Sequence, residues 1–299
     1  MPQVKRRSAV FPPGELTAAA APREFDFSEA DFRSLAQLAY EHAGIALADS
    51  KRNLVYSRLS RRVRTLGLKS FKQYRDYLGR DDNEGEIENF INSISTNLTK
   101  FFRESHHFDH FRTHVAGAFA RSTHGSSARR LRVWSAGCST GEEPYTIAVV
   151  LRKEIPDILR HDARILATDI DTEVLAKAAR GVYPQESIDQ IPKAYLPFFR
   201  ETDGEDDAKS VVVERDVRSL IAFRRLNLME AWPFKGQFDA IFCRNVMIYF
   251  DNPTKANLIE RFTQQIKPGG WLYIGHSESL AGAHPGLKLM GRTIYRREA

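Results

Sequence analysis

The sequence predicts an α/β protein in which an all-helical N-terminal region precedes a mostly parallel sheet covered by helices on both faces. Three observations carry this expectation. Capped stretches with apolar residues at helical spacing run from about position 25 to 120, and strand-like apolar runs alternate with helical stretches from about position 130. Within the alternating region, from 183 to 227, the pattern breaks into short runs rich in Val and Ile.

Residues 1–24 combine Pro, Ala and charge without periodicity and are expected to form a disordered tail. Ser28 followed by Asp31 resembles a capping box, after which Phe32, Leu35, Leu38, Ala39 and His42 recur at helical spacing until Gly44. A second helix is expected from Asp49 or Ser50, with Val55, Leu59, Val63 and Leu66 as its stripe and Gly67 as its stop. Further short helices are expected from Ser70 to Leu78, around Ile87 to Ile94, and from Phe102 to Phe119. Together these make a helical domain over 25–120. The stretch RSTHGSSARR at 121–130 reads as a linker or surface loop opening a second domain over 121–299.

In that second domain LRVWSAG reads as a strand, CSTGEE as a turn, and PYTIAVVLRKEI as a helix with Pro144 in its first turn, where a missing N–H costs little. ARILATDID is a second buried strand ending in acids, and TEVLAKAARG is its helix. FDAIFCRNVMIYF holds a third strand, KANLIERFTQQI a helix, and PGGWLYIGH a turn with a fourth strand. SVVVERDVRSLIAF supplies strands for a small β insertion, placed at 184–226 with the acidic loop TDGEDDAKS inside it.

Composition excludes several classes. Apolar residues make up 42% of the 299, enough for self-sufficient cores and unlike disordered or fibrous chains. No window approaches the ~20 apolar residues of a bilayer crossing, and the chain reads as cytoplasmic. The two cysteines, Cys138 and Cys243, cannot build a disulfide framework and read as small packing residues. Adjacent His106 and His107 would point about 100° apart on a helix, which argues against a shared metal.

Charge is 44 basic against 38 acidic, a mild net +6 that does not mark a nucleic-acid binder. Its distribution is more informative. Ten basic residues and one acid lie between positions 51 and 80, with Arg58, Arg61 and Arg62 on one face of the second helix. That face is either solvated or a docking surface for an acidic partner.

In an open parallel sheet the ligand sits outside the carboxyl ends of the strands, where strand order reverses, so SAGCSTGEEPY is the first candidate site. Gly137 and Gly141 allow tight turning, but Ser139 interrupts a dinucleotide fingerprint. Glu142 and Glu143 at the helix start would repel a pyrophosphate and suit a cationic nucleoside, or else they merely complement the helix dipole. Asp169, ending the second strand, is placed to accept from both ribose hydroxyls, or is an exposed turn acid.

Five motifs, TNLTKFFRESHHF, SAGCSTGEEPY, ATDIDTEVL with ARGVYP, FDAIFCRNVMIYF and IKPGGWLYIGHSESL, together resemble the bacterial chemotaxis receptor methyltransferases known as CheR. The resemblance runs in order from about Phe25 to Arg296. It implies a class I S-adenosylmethionine-dependent methyltransferase fold, Rossmann-like, with an N-terminal helical domain and an inserted antiparallel β-subdomain. It further implies transfer of a methyl group to receptor glutamates, yielding methyl esters and S-adenosylhomocysteine, without a metal.

By the same resemblance, Asn97, Thr99 and Arg103 contact the cofactor or flank the reacting methyl, and Asp169 holds the ribose. One of Glu142 and Glu143 lines the site, Asn227 and Leu228 border the adenine, and Arg244, Asn245 and Tyr249 close the pocket. Arg103 and Tyr249 stand nearest the chemistry. Read without the family, Arg103 is a capping arginine and Tyr249 a core aromatic. The implied partner is the helical bundle of a methyl-accepting receptor, docked by Arg58, Arg61 and Arg62, with the enzyme a monomer at receptor arrays on the inner membrane face. Methylation of RNA or a small acid, and a non-catalytic nucleoside sensor, are the competing classes. The acidic TDGEDDA loop argues against capture of a receptor's terminal carboxylate by the β insertion.

Overall fold

The computed structural model describes residues 23–80, 83–122, 128–203, 209–278, 280 and 284–298. Most of the expected tail lies outside them, but its last two residues are engaged: Arg23 donates to Asn53 and Glu24 pairs with Arg64.

Four helices form the N-terminal layer: α1 (Glu29–Ala43), α2 (Arg52–Thr65), α3 (Phe71–Leu78) and α4 (Glu84–Ile94). The capping box is complete, with Ser28 Oγ accepting from Asp31 N at 3.0 Å and Asp31 Oδ2 accepting from Ser28 N at 2.9 Å. Gly44 then ends α1 at φ 70°. A Cβ there would lie 2.5 Å from Met229 Sδ, so the glycine also allows this layer to approach the sheet domain closely. Phe32, Leu35, Leu59, Phe71, Tyr74 and Phe90 fill the core.

The arginine face of α2 is not presented whole. Arg58 donates to the carbonyls of Ile94 and Ser95, both at 2.7 Å, satisfying the end of α4. Arg62 pairs with the buried Glu86, which also accepts from Tyr74 Oη at 2.9 Å. Because α2 packs on α4, two of the three arginines of this face reach inward across the contact, and of the three only Arg61 is exposed.

α5 (His106–Phe111), a π-helical turn (Arg112–Ala116) and α6 (Gly117–Arg121) follow. Phe101, Phe108, Phe111 and Phe119 pack into the core of the sheet rather than that of the first four helices. The sheet domain runs β1 (Arg130–Ala136), α7 (Glu142–Glu154), β2 (Asp162–Asp169), α8 (Thr172–Arg180), β3 (Val182–Pro184), β4 (Phe199–Asp203) and β5 (Lys209–Val213). It continues with α9 (Arg215–Arg218), β6 (Ile221–Arg225), β7 (Phe238–Cys243), α10 (Asn252–Gln265), β8 (Ile266–Ile274), β9 (Leu287–Gly291) and β10 (Ile294–Arg297).

Seven strands lie in the order β6-β2-β1-β7-β8-β10-β9. The first five are parallel, while β10 runs antiparallel to β8 and β9 to β10. A separate antiparallel sheet, β3-β5-β4, is the insertion. Its expected extent of 184–226 needs correction. Ile221–Arg225 joins the main sheet beside β2, with Ile165 opposite Ile221. Part of the acidic loop, residues 204–208, lies outside the described residues. The chain leaves β1 toward β2 and β6, then returns to β7 on the other side, which opens a crevice at the carboxyl ends of β1 and β7.

Candidate active site

A cavity of about 470 Å³ occupies that crevice, roofed by residues 43–54 of the helical layer. Small-molecule sites commonly measure roughly 300–1,000 Å³. Its floor follows from the first turn. Gly137 has φ 77°, and a Cβ on it would stand 2.3 Å from Val246 Cγ2, so only glycine lets the β1 and β7 turns meet. Gly137 N and Cys138 N both donate to Thr168 O, at 2.8 and 2.9 Å, which locks this turn to the end of β2.

Asp169 stands at that end, buried. Its Oδ2 accepts from Ser139 N at 2.8 Å and its Oδ1 from Asp171 N at 3.0 Å. Burial pushes its carboxyl above the usual range, against the pull of these N–H groups. Each oxygen retains acceptor capacity toward the cavity. Asn97 and Thr99 line the same wall; Asn97 Nδ2 donates to Asp171 Oδ2 at 2.7 Å, and its carbonyl accepts from Ser139 Oγ at 2.9 Å.

The two glutamates at the start of α7 separate. Glu143 is on the cavity wall, with Oε1 accepting from Ser135 Oγ at 2.7 Å and Oε2 from Arg244 at 2.9 Å. Glu142 is not on that wall and accepts from Thr140 Oγ1 at 2.7 Å, so of the two glutamates it is Glu143 that faces the cavity. Neighbouring positions on a helix diverge by about 100°, and only one could face inward.

Arg244 is buried between two acids. Glu104 Oε2 lies 3.4 Å from it on the side opposite the Glu143 contact, its guanidinium donates to the Arg103 carbonyl, and it rests 5.2 Å over the Phe108 ring. Burial raises the Glu104 carboxyl, but the Arg244 charge, the His276 backbone N–H, His107 and the Asn245 amide together outweigh it and hold the group below the ordinary value. Beneath them His107 is fully buried and donates from Nε2 to the Arg292 carbonyl at 3.2 Å. Burial, then repulsion by Arg244, lowers its pKa to about 3, so its 3.5 Å approach to Glu104 is not an ion pair at neutral pH.

The turn after β7 supplies the remaining wall. Asn245, at φ 61°, donates from its backbone to Glu278 Oε2, and its side-chain amide reaches Glu104 Oε1 at 3.4 Å. Tyr249 Oη donates to the Thr96 carbonyl at 3.3 Å. Arg103 Nη1 donates to the Leu98 carbonyl at 2.8 Å and has no carboxylate partner among the described residues. Leu228 lines the cavity. Asn227 does too, but its amide is used structurally, donating to the His42 carbonyl at 2.7 Å and accepting from Met229 N at 3.0 Å. Ala46 N donates to the Tyr249 carbonyl at 2.8 Å, completing the tie between the two layers.

Glu104, Glu278 and the 43–54 roof were not among the residues singled out in the sequence. Glu104 adjoins Arg103 in a quoted motif, but its partner lies far along the chain. Cys138 and Cys243 are packed among apolar neighbours, with burial pushing both thiols well above their usual range.

A glycine cradle, an acid at the end of β2, an apolar roof and buried carboxylates where a phosphate would be repelled fit a cationic nucleoside. Fold and site together define an S-adenosylmethionine-dependent methyltransferase. Comparison with known proteins agrees and narrows the class. Residues 30–95 match the all-alpha domain of CheR methyltransferases and residues 97–296 match their SAM binding domain. The chain is 44% identical over 275 residues to chemotaxis protein methyltransferase 2 of Pseudomonas aeruginosa, covering 91% of this chain and 95% of that one. To the chemotaxis protein methyltransferase of Escherichia coli it is 43% identical over 270 residues, covering 90% and 91% respectively. The chain belongs to the CheR methyltransferase family.

Proposed function

We propose that the protein transfers the methyl group of S-adenosylmethionine to glutamate side chains of chemotaxis receptors, forming methyl esters and leaving S-adenosylhomocysteine. The observation that carries this reading is Arg103: a partly exposed guanidinium that lines the cavity together with Tyr249, with a carbonyl partner but no carboxylate partner among the described residues. Its fork is open to an incoming carboxylate.

Bound S-adenosylmethionine supplies an electrophilic methyl on a sulfonium. A glutamate with pKa near 4.3 is already ionised at neutral pH, so no side chain has to remove a proton. Alignment is therefore what the protein contributes, and positioning can supply up to about 7–11 kcal/mol. Arg103 and Tyr249 orient the acceptor. Asp169 receives the ribose hydroxyls, Leu228 and the 43–54 roof enclose the base, and Asn97, Thr99, Glu143 and Asn245 complete the walls. Arg244 braces the floor. Because Glu104 and Glu143 flank it, this network carries an excess negative charge that favours a sulfonium.

The exposed cations of the 51–80 stretch, Arg61 among them, support docking on an acidic helical bundle at the receptor array by a monomeric enzyme in the cytoplasm. None of the described helices is long and apolar enough to cross a membrane. The test is to incubate the protein with receptor-bearing membranes and radiolabelled S-adenosylmethionine. Label released by mild alkali is the expected ester; alkali-stable label would mean N- or C-methylation and overturn the reading.

A further inference from the structure

Two large apolar side chains stand in solvent at the lip of the cavity. Leu98 is 80% exposed and Ile248 47% exposed, and both line the opening. Isolated apolar residues on a surface need no explanation, but these two are fixed to the groups that orient the acceptor. The Arg103 guanidinium holds the Leu98 carbonyl at 2.8 Å, and Ile248 directly precedes Tyr249, with its N–H held by Glu278 at 3.1 Å. Tyr249 Oη joins the two segments through the Thr96 carbonyl. The lip therefore has a fixed arrangement of cation, hydroxyl and two apolar flanks.

Its charge identifies the occupant. Lys51, Lys100 and Arg103 line the opening, and Lys51 and Lys100 are exposed, whereas the lining acids, Glu143 and Asp169, are buried below and held by Arg244 or backbone N–H groups. A surface combining exposed cations with apolar flanks suits an acidic amphipathic helix, whose neighbours three or four positions from a carboxylate share its face.

We infer that Leu98 and Ile248 grip apolar side chains one helical turn from the acceptor glutamate and thereby select which glutamates of an acidic helix are methylated. This rests on the methyl-transfer reading above. Selection then follows from register: a glutamate whose neighbours on that face are charged leaves both flanks wet and is a poor acceptor.

The test uses Leu98→Ser and Ile248→Ser in the full chain, with Leu159→Ser as a control. Leu159 is 44% exposed and precedes β2, at the end of the sheet away from the cavity. Thermal midpoints check folding. Receptor KM is expected to rise about tenfold in each lip variant, equivalent to about 1.4 kcal/mol, while S-adenosylhomocysteine affinity by calorimetry moves less than about twofold. The control keeps the wild-type receptor KM. Making the receptor's apolar neighbours polar should raise the wild-type KM similarly and add little in the lip variants. Unchanged KM in both lip variants, or a KM rise matched by equal loss of nucleoside affinity, overturns the inference. Failure of the wild-type protein to form alkali-labile esters overturns the underlying reading instead, so the two failures are distinguishable.

Discussion

Glu278 accepts the backbone N–H of Asn245 at 2.7 Å, and the same carboxylate takes the N–H groups of Gly275 at 2.7 Å and Ile248 at 3.1 Å. One buried acid, from the loop after β8, thus braces the turn that carries Arg244, Asn245 and Tyr249. Gly275 leaves room for it, since a Cβ there would lie 2.6 Å from Glu278 Oε2. Burial raises the Glu278 carboxyl, opposed by these N–H groups.

Replacing Glu278 by Gln sets an amide NH2 against a backbone N–H that now has no acceptor. The turn should shift, lowering kcat by about tenfold or more, with receptor KM moving less than about threefold. Steady-state kinetics at saturating cofactor separates the two. A rise in KM alone would mean that the brace serves receptor binding and not alignment.

Arg103→Lys keeps the charge and loses the planar fork. Receptor kcat/KM should fall roughly 10–100-fold, the scale of a charge-assisted hydrogen bond, and Tyr249→Phe should fall less because the hydroxyl is neutral. Methyl-ester formation with purified receptor checks both. Equal activity of Arg103→Lys and wild type would remove the orienting role.

Asp169→Asn presents a donor where two backbone N–H groups and the nucleoside all require acceptors. Affinity for S-adenosylhomocysteine by calorimetry should drop at least about tenfold. Retained affinity would place the ribose elsewhere.

Substitutions on α2 should divide by partner. Arg61→Glu should raise receptor KM without lowering the thermal midpoint, and the effect should shrink with added salt. Arg58→Ala should instead lower stability by about 1–3 kcal/mol, because it orphans the carbonyls at the end of α4. Denaturant unfolding distinguishes the two classes.

His107 links stability to pH. Its folded pKa of about 3 lies below the ordinary value of 6.5, so the unfolded chain binds the extra proton between them. Its contribution is complete above pH 6.5 and fades as pH falls toward 3, at up to about 1.4 kcal/mol per unit. His110, lowered to about 4 by burial and by His114, acts in the same direction. His107→Gln should flatten the acid limb of stability measured by urea unfolding; an unaltered slope would show that His107 is not held neutral.

The elements that came directly from the sequence are those written in near neighbours. The Ser28–Asp31 capping box, the Gly44 stop, the strand, turn and helix around Gly137, and the acid ending β2 all depend on contacts a few residues apart. Spacing alone sets such contacts. Tertiary structure decided the rest because long polar side chains and parallel strands choose partners far along the chain. It turned Arg58 and Arg62 inward onto α4, took Ile221–Arg225 out of the insertion and into the main sheet, and chose Glu143 over Glu142 by facing it toward Arg244. It also spent the Asn227 amide on joining two layers. In each case the free energy of satisfying a buried polar group or a sheet edge depends on what folding brings alongside, and no local pattern encodes that neighbour.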